Sequence, residues 1–115
     1  MTDFKKLHVW RLSLDVTKSI YRITDAFPDK ERFGLISQMR RAAVSIMSNI
    51  AEGSKRRGLD QLQFLRIAQG SAAELESQLI LSQEIGFLRP QYVKIFDELH
   101  YLGSVLCLFR KKLEK

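Results

Sequence analysis

Four stretches of this 115-residue chain repeat apolar residues every three or four positions, and this spacing constrains the fold more than any other feature. In the second stretch the repeat consists of Ile36, Met39, Ala43, Ile46 and Ile50. Such spacing places the apolar residues on one face of an α-helix. No stretch sustains the alternation of apolar and polar residues typical of a half-buried β-strand. The sequence therefore predicts an all-α protein.

Proline and glycine residues separate the four stretches, and the chain has only 2 Pro and 6 Gly. Pro28 ends the first stretch, Asp60 with Gln63 predicts a capping box that opens the third, Gly86 ends the third, and Pro90 suits the first turn of the fourth. The predicted helices are residues 8–27, 33–54, 60–86 and 90–113, within a single domain over residues 1–115. Because the connections are short, we expect an antiparallel up-down-up-down four-helix bundle.

Three of the predicted helices carry a second surface that a monomeric bundle does not need. The first and fourth helices have apolar residues away from the core line, and the third has small residues opposite its core stripe. The candidate interface residues are Trp10, Leu14, Tyr21, Gly70, Ala73, Ser77, Tyr101 and Leu108. A wide apolar face is also normal in a small bundle. Since large exposed patches mark interaction sites, we predict a homo-oligomer.

Basic residues exceed acidic residues by 19 to 13, which gives a net charge of +6. Most of the excess falls in residues 30–66, and a second basic group closes the fourth helix. The candidate nucleic-acid contacts are Arg40, Arg41, Lys55, Arg56, Arg57 and Arg66. Cations at helix C-termini also compensate the helix dipole, which is the alternative explanation. Since no base-reading motif is present, any binding of RNA or DNA would rest on phosphates and depend steeply on salt.

A line of polar residues follows the second helix away from its core stripe. Its members are Arg41, Ser45, Ser48 and Glu52, with Asn49 beside them. A solvated face, a hydrogen-bonded contact between helices, and a surface for a partner all remain open. We predict Ser45, Ser48, Asn49 and Glu52 as candidate partner-facing residues.

The sequence offers no catalytic constellation. Neither His8 nor His100 has the second histidine, three or four residues away, that a metal-binding helix uses. The single Cys107 excludes an internal disulfide and lies in an apolar stretch. We therefore expect no enzyme activity, metal, cofactor or small-molecule substrate. No apolar run approaches the length of a membrane span, so we expect a cytoplasmic protein without membrane contact.

The stretch of residues 38–53, QMRRAAVSIMSNIAEG, resembles the signature of the 23S rRNA intervening sequence protein family. Residues 67–79 are similar to the second block of that family. Val9–Trp10 and Phe27–Pro28 followed by Glu31 match its first helix and loop. The resemblance covers residues 4–110 as a combination of blocks. Met47 departs from it, because many members have proline there, and its presence suggests a straighter second helix.

The resemblance implies an antiparallel four-helix bundle that assembles as a homopentamer and has no catalytic residues. The family is remotely similar to the accessory variability determinant of diversity-generating retroelements, a basic pentamer that partners a reverse transcriptase and nucleic acid. By this analogy we expect a non-enzymatic protein that binds nucleic acid, RNA in particular. The alternative is an oligomeric protein-interaction scaffold without a nucleic-acid role. Members have no settled biochemical role, and the resemblance names no process.

Overall fold

The computed structural model describes residues 3–114. Over this range the chain forms four α-helices and no strand, which confirms the all-α prediction. The helices are α1 (His8–Thr24), α2 (Leu35–Ser54), α3 (Gly58–Glu84) and α4 (Ile95–Leu113). Short 3₁₀ turns lie at Phe4–Lys6, Asp29–Glu31 and Pro90–Tyr92.

The apolar stripes of the four helices meet in one core. Helix α1 packs against α2 and α4, and α3 packs against the same two helices, so the order around the core is α1, α2, α3, α4. Fully buried side chains come from every helix, and they include Ile20, Met39, Ile46, Ile50, Leu65, Leu75, Leu79, Leu102 and Leu106. Burial of each such aliphatic side chain contributes about 1.5–3 kcal/mol, which makes the core the main stabilising element.

Contacts between helices show which helix ends meet. Arg40, near the start of α2, bonds to Thr24, the last residue of α1. Ser82, near the end of α3, donates to the Sδ of Met39 in α2 at 3.6 Å. Glu114, just after α4, lies 3.6 Å from Arg66 in α3. The molecule is 43 Å long, close to the roughly 40 Å expected for the 27-residue α3 at about 1.5 Å per residue.

The first two helices are shorter than predicted at the turn that joins them. Helix α1 ends at Thr24 rather than residue 27, because the amide of Phe27 donates to the carbonyl of Thr24 at 3.1 Å in a tighter turn. Helix α2 begins at Leu35 rather than residue 33. The preceding Gly34 has φ −113° and ψ −109°, outside the helical region.

The third helix begins two residues earlier than predicted, and the predicted capping box is wrong. Arg57 is the N-cap residue and makes no side-chain cap, while Asp60 lies in the first turn of α3. Gly58 has φ +60°, a conformation that favours glycine. Helix α3 ends at Glu84 rather than residue 86, and Gly86 follows it with φ +83°, as predicted for a residue that caps the helix.

The prediction that Pro90 lies in the first turn of the fourth helix is also wrong. Pro90 opens a separate 3₁₀ turn, and α4 begins at Ile95. In this connection Leu88 is buried, and the ring of Phe87 lies 5.7 Å from that of Phe27. The connecting residues therefore cover the end of the core instead of extending α4.

Candidate nucleic-acid interface and assembly surfaces

The connection between α2 and α3 consists of three basic residues, Lys55, Arg56 and Arg57, which we call the basic corner. Lys55 continues the turn of α2 with φ −95° and ψ −1°, whereas Arg57 is extended with φ −137° and ψ 159°. All three residues are exposed. This abrupt change of direction between the helices concentrates the three cations at one corner of the bundle.

Residues within the chain partly engage the basic corner. The Nε of Arg56 donates to Glu52 at 2.9 Å, and its Nη1 lies 3.9 Å from Asp60. The Nζ of Lys55 lies 5.9 Å from the ring centroid of Phe4. Exposed ion pairs contribute at most about 1 kcal/mol, so Arg56 can exchange Glu52 for a phosphate at little cost.

Other cations gather at the same end of the bundle. Arg66 lies 3.6 Å from Glu114, which also pairs with Arg110 in the last turn of α4. The contact between Phe4 and Lys55 brings the N-terminal 3₁₀ turn to this end as well. We call the resulting set the basic end, which comprises Lys5, Lys6, Lys55, Arg56, Arg57, Arg66, Arg110, Lys111 and Lys112. The predicted up-down-up-down order implies that the second and fourth helices finish at one end, but helical periodicity does not show that the N-terminal turn and Arg66 reach it.

The other two candidate contacts lie elsewhere, toward the beginning of α2. Arg40 is partly buried: its Nε donates to Thr24 Oγ1 at 2.9 Å, and its Nη2 lies 3.0 Å from Asp25. Its guanidinium also covers the ring of Tyr21 at 4.6 Å. Arg41 is exposed, but it lies about 21 Å from Lys55 along α2, at about 1.5 Å per residue. The six candidates therefore do not form one surface.

The polar line on α2 divides into two pairs. Ser45 and Asn49 are half-buried: the Oγ atoms of Ser45 and Ser71 lie 2.8 Å apart, and the amide of Asn49 donates to the Ser45 carbonyl at 2.8 Å. Ser48 and Glu52 are exposed. Ser45 therefore supplies the contact between helices that the sequence left open, whereas Asn49 bonds within α2. A partner for the exposed pair stays a prediction.

The candidate interface residues on α1 differ in exposure. Trp10 and Leu14 are half-buried, and the ring of Trp10 lies 5.0 Å from that of Phe4 while also packing on the core. Tyr21 is 43% exposed, although the guanidinium of Arg40 lies over its ring. Trp10 thus has an evident packing role within its own chain, and Tyr21 keeps more surface free.

Two of the five candidate interface residues on α3 and α4 line a groove between these helices, which we call the α3–α4 groove. It has a volume of about 600 Å³. Ala73 and Leu108 line it, and Leu108 is 61% exposed. Gly70 and Ser77 are exposed on α3, and Tyr101 is exposed on α4 with its hydroxyl 3.4 Å from His8 Nε2.

Two glycines beside this groove have no packing role in the single chain. A methyl group at Gly70 or at Gly103 would meet no atom within 4 Å outside its own helix and neighbours. Glycine inside a helix costs about 1 kcal/mol relative to alanine. Gly103 also lines the groove, but it is not among the interface residues predicted from the sequence. The only indication that the sequence offers is its position within a helix, one turn before Cys107.

Within residues 3–114, no three His, Cys, Asp or Glu side chains converge in a way that could hold a metal ion. Over the same range, each helix is too short or too polar to cross a bilayer.

Comparisons with known proteins place this arrangement in a family. Among solved structures, a protein with unknown function from the S23 ribosomal protein family of Bacteroides thetaiotaomicron VPI-5482 has a similar fold, with a TM-score of 0.80 and 24% sequence identity. The similarity covers 90% of this chain and 95% of that chain. No curated protein matches the chain. A family model described as 23S rRNA-intervening sequence protein matches residues 5–107, and the chain therefore belongs to that family.

Proposed function

We propose that this protein is a non-enzymatic, RNA-binding member of the family that works as a homo-oligomeric ring. The basic end is the RNA-binding surface, with the basic corner and Arg66 as its central contacts. Arg40 is assigned instead to the packing of α2 against α1.

The convergence of cations at the basic end carries this proposal. Nine Lys and Arg residues from the N-terminal turn, the α2–α3 connection, α3 and α4 lie toward one end of the bundle, where Glu52, Asp60 and Glu114 pair with three of them. Dipole compensation accounts for cations at the C-terminal ends of α2 and α4, but not for Lys5, Lys6 and Arg57, which lie just before the N-terminal ends of α1 and α3. A surface with this charge attracts the phosphates of a nucleic acid without reading its sequence.

We propose further that the four helices follow an antiparallel up-down-up-down order and that the bundle assembles through the α3–α4 groove. Three contacts support the order: the end of α1 meets the beginning of α2 at Thr24 and Arg40, the end of α3 meets the beginning of α2 at Ser82 and Met39, and the end of α4 meets the first third of α3 at Glu114 and Arg66. The open space at Gly70 and Gly103 supports assembly, because a second helix can approach closely there. Five copies are proposed from the family resemblance. A ring would repeat the basic end around its axis and increase its affinity for an extended polyanion.

Fluorescence anisotropy with labelled single-stranded RNA, duplex RNA and duplex DNA across a series of salt concentrations tests this function. We expect the logarithm of the affinity to fall linearly with the logarithm of the salt concentration, by about 0.9 per duplex phosphate neutralised. Absence of binding to all three probes at low salt would contradict the proposal.

The second candidate function is an oligomeric protein-interaction scaffold, favoured by the exposure of Ser48 and Glu52 on the polar line. A scaffold would retain its protein partner after nuclease treatment, whereas an RNA-mediated complex would lose it. Affinity purification with and without nuclease therefore separates the two functions.

A further inference from the structure

Phe33 is the most exposed large apolar side chain within residues 3–114, at 93%. It lies in the turn before α2 and lines a surface pocket of about 460 Å³ together with Tyr21, Ile36 and Val44. A side chain this exposed contributes almost nothing to the packing of its own chain. Aromatic residues are enriched at the centres of protein interfaces relative to the rest of the protein surface.

The α3–α4 groove offers an apolar recess of the kind that an aromatic side chain fills. Its walls include Ala72, Ala73, Leu99, Leu106 and Leu108, and Gly103 leaves its α4 side open. Leu99 and Leu106 belong to the core, so a side chain entering the groove would reach the buried interior.

The aromatic projection and the groove lie on opposite sides of the bundle. Phe33 and its neighbours belong to the α1–α2 side, and the groove lies between α3 and α4, which are the next two helices in the order around the core. Two complementary surfaces on opposite sides of one chain allow head-to-tail association, in which each copy gives one surface and receives the other.

The charges beside the two surfaces are also complementary. Arg41 lines the pocket with Phe33, and Glu76 lines the groove. Neither residue takes part in an ion pair within the part of the chain that the structure describes. Opposite charges placed in this way favour contact between the α1–α2 side of one copy and the α3–α4 side of another.

We infer that Phe33 of one copy inserts into the α3–α4 groove of a second copy and that Arg41 of the first pairs with Glu76 of the second. This inference rests on the proposed homo-oligomer and identifies the surfaces that form it. The interface is head-to-tail, so Phe33 of every copy faces the groove of its neighbour and not another Phe33.

Cross-linking through the native Cys107, which lines the groove and is the only cysteine, tests the pairing. Phe33→Cys should give covalent multimers with a short bismaleimide, and peptide mapping should find residue 33 joined to residue 107. Leu59→Cys, at a position 81% exposed near the start of α3, is the matched control and should give no such link. Multimers that persist in Phe33→Cys with Cys107→Ser would join two residues 33 and would overturn the head-to-tail arrangement.

A charge exchange tests the pairing without altering Phe33. Arg41→Glu and Glu76→Arg should each lower the mass measured by light scattering toward that of one chain. The double variant should restore the assembled mass. Circular dichroism should remain helical throughout, since both side chains are exposed. A double variant no better assembled than the single variants would overturn the pairing.

The mass of the unaltered protein separates this inference from the proposed function. A single-chain mass at high concentration would overturn both the proposed ring and the pairing. An assembled mass without a link between residues 33 and 107 would overturn the pairing alone. RNA binding, measured separately by anisotropy, does not depend on which surfaces assemble.

Discussion

The Nε of Arg40 donates a hydrogen bond to the Oγ1 of Thr24 at 2.9 Å, so a guanidinium of α2 holds the last turn of α1. Thr24 in turn donates to the carbonyl of Ile20 at 2.7 Å and is 1% exposed. The same guanidinium reaches Asp25 and covers Tyr21. A residue chosen from the sequence as a nucleic-acid contact thus has a structural role.

Arg40→Ala should lower the free energy of unfolding by about 1–3 kcal/mol, because a charged donor is lost and Thr24 keeps a buried oxygen without its partner. The neighbouring Arg41→Ala is the matched control, and we expect a change within about 0.5 kcal/mol, as for other exposed positions. Urea denaturation of both variants, at concentrations where the protein is a single chain, makes the comparison. Equal losses would contradict the structural role of Arg40.

The hydrogen bond between Ser45 and Ser71 joins α2 to α3 at 2.8 Å. Ser45→Ala and Ser71→Ala should each cost about 1 kcal/mol. The double variant should cost less than the sum, since residues in contact couple by about 0.5–3 kcal/mol. A double-mutant cycle from denaturation curves measures this coupling, with the exposed Ser48→Ala as control. Strict additivity would show that the bond contributes nothing.

Alanine at two helical glycines should have opposite effects on stability. A methyl group at Gly53 would lie 3.3 Å from the Cβ of Phe64, which is tied to the backbone of α3 and cannot move aside easily. Overpacking of this kind costs about 1–3 kcal/mol, so Gly53→Ala should lower the melting temperature. The methyl group of Gly103→Ala would meet no atom within 4 Å outside its own helix and neighbours. This variant should raise the melting temperature, because the higher helix propensity of alanine stabilises the chain by up to about 1 kcal/mol. Melting curves recorded on single chains test both signs.

Charge reversal at the basic corner should abolish RNA binding while the helices remain intact. The variant replaces Lys55, Arg56 and Arg57 with glutamate. A control that reverses the exposed Lys18, Arg22 and Lys94 changes the net charge equally, at the end of the bundle where α1 finishes and α4 begins. Anisotropy at fixed salt measures both variants, and circular dichroism checks their helicity. Equal losses would show that net charge, and not the basic corner, governs binding.

The sequence determined the helices themselves. Apolar residues such as Met39, Ile46 and Ile50 recur at helical spacing, and burying them stabilises the chain more than any cap or turn does. The helix ends were less predictable. Pro90 and Asp60 are residues typical of helix N-termini, so the sequence placed helix starts there. The observed helices begin elsewhere, because Leu88 packs on the core and Arg57 is extended.

Only the tertiary structure decided which residues meet. Arg56 and Arg110 are far apart in sequence yet lie at one end of the bundle, whereas the adjacent Arg40 and Arg41 have different surroundings. Helical periodicity reports the face on which a residue lies, and it assigned Ser45 to a polar face without showing that Ser71 lay opposite. The spacing of apolar residues is a local property that the chain carries before it folds. The basic end and the α3–α4 groove arise only when packed helices bring distant segments together.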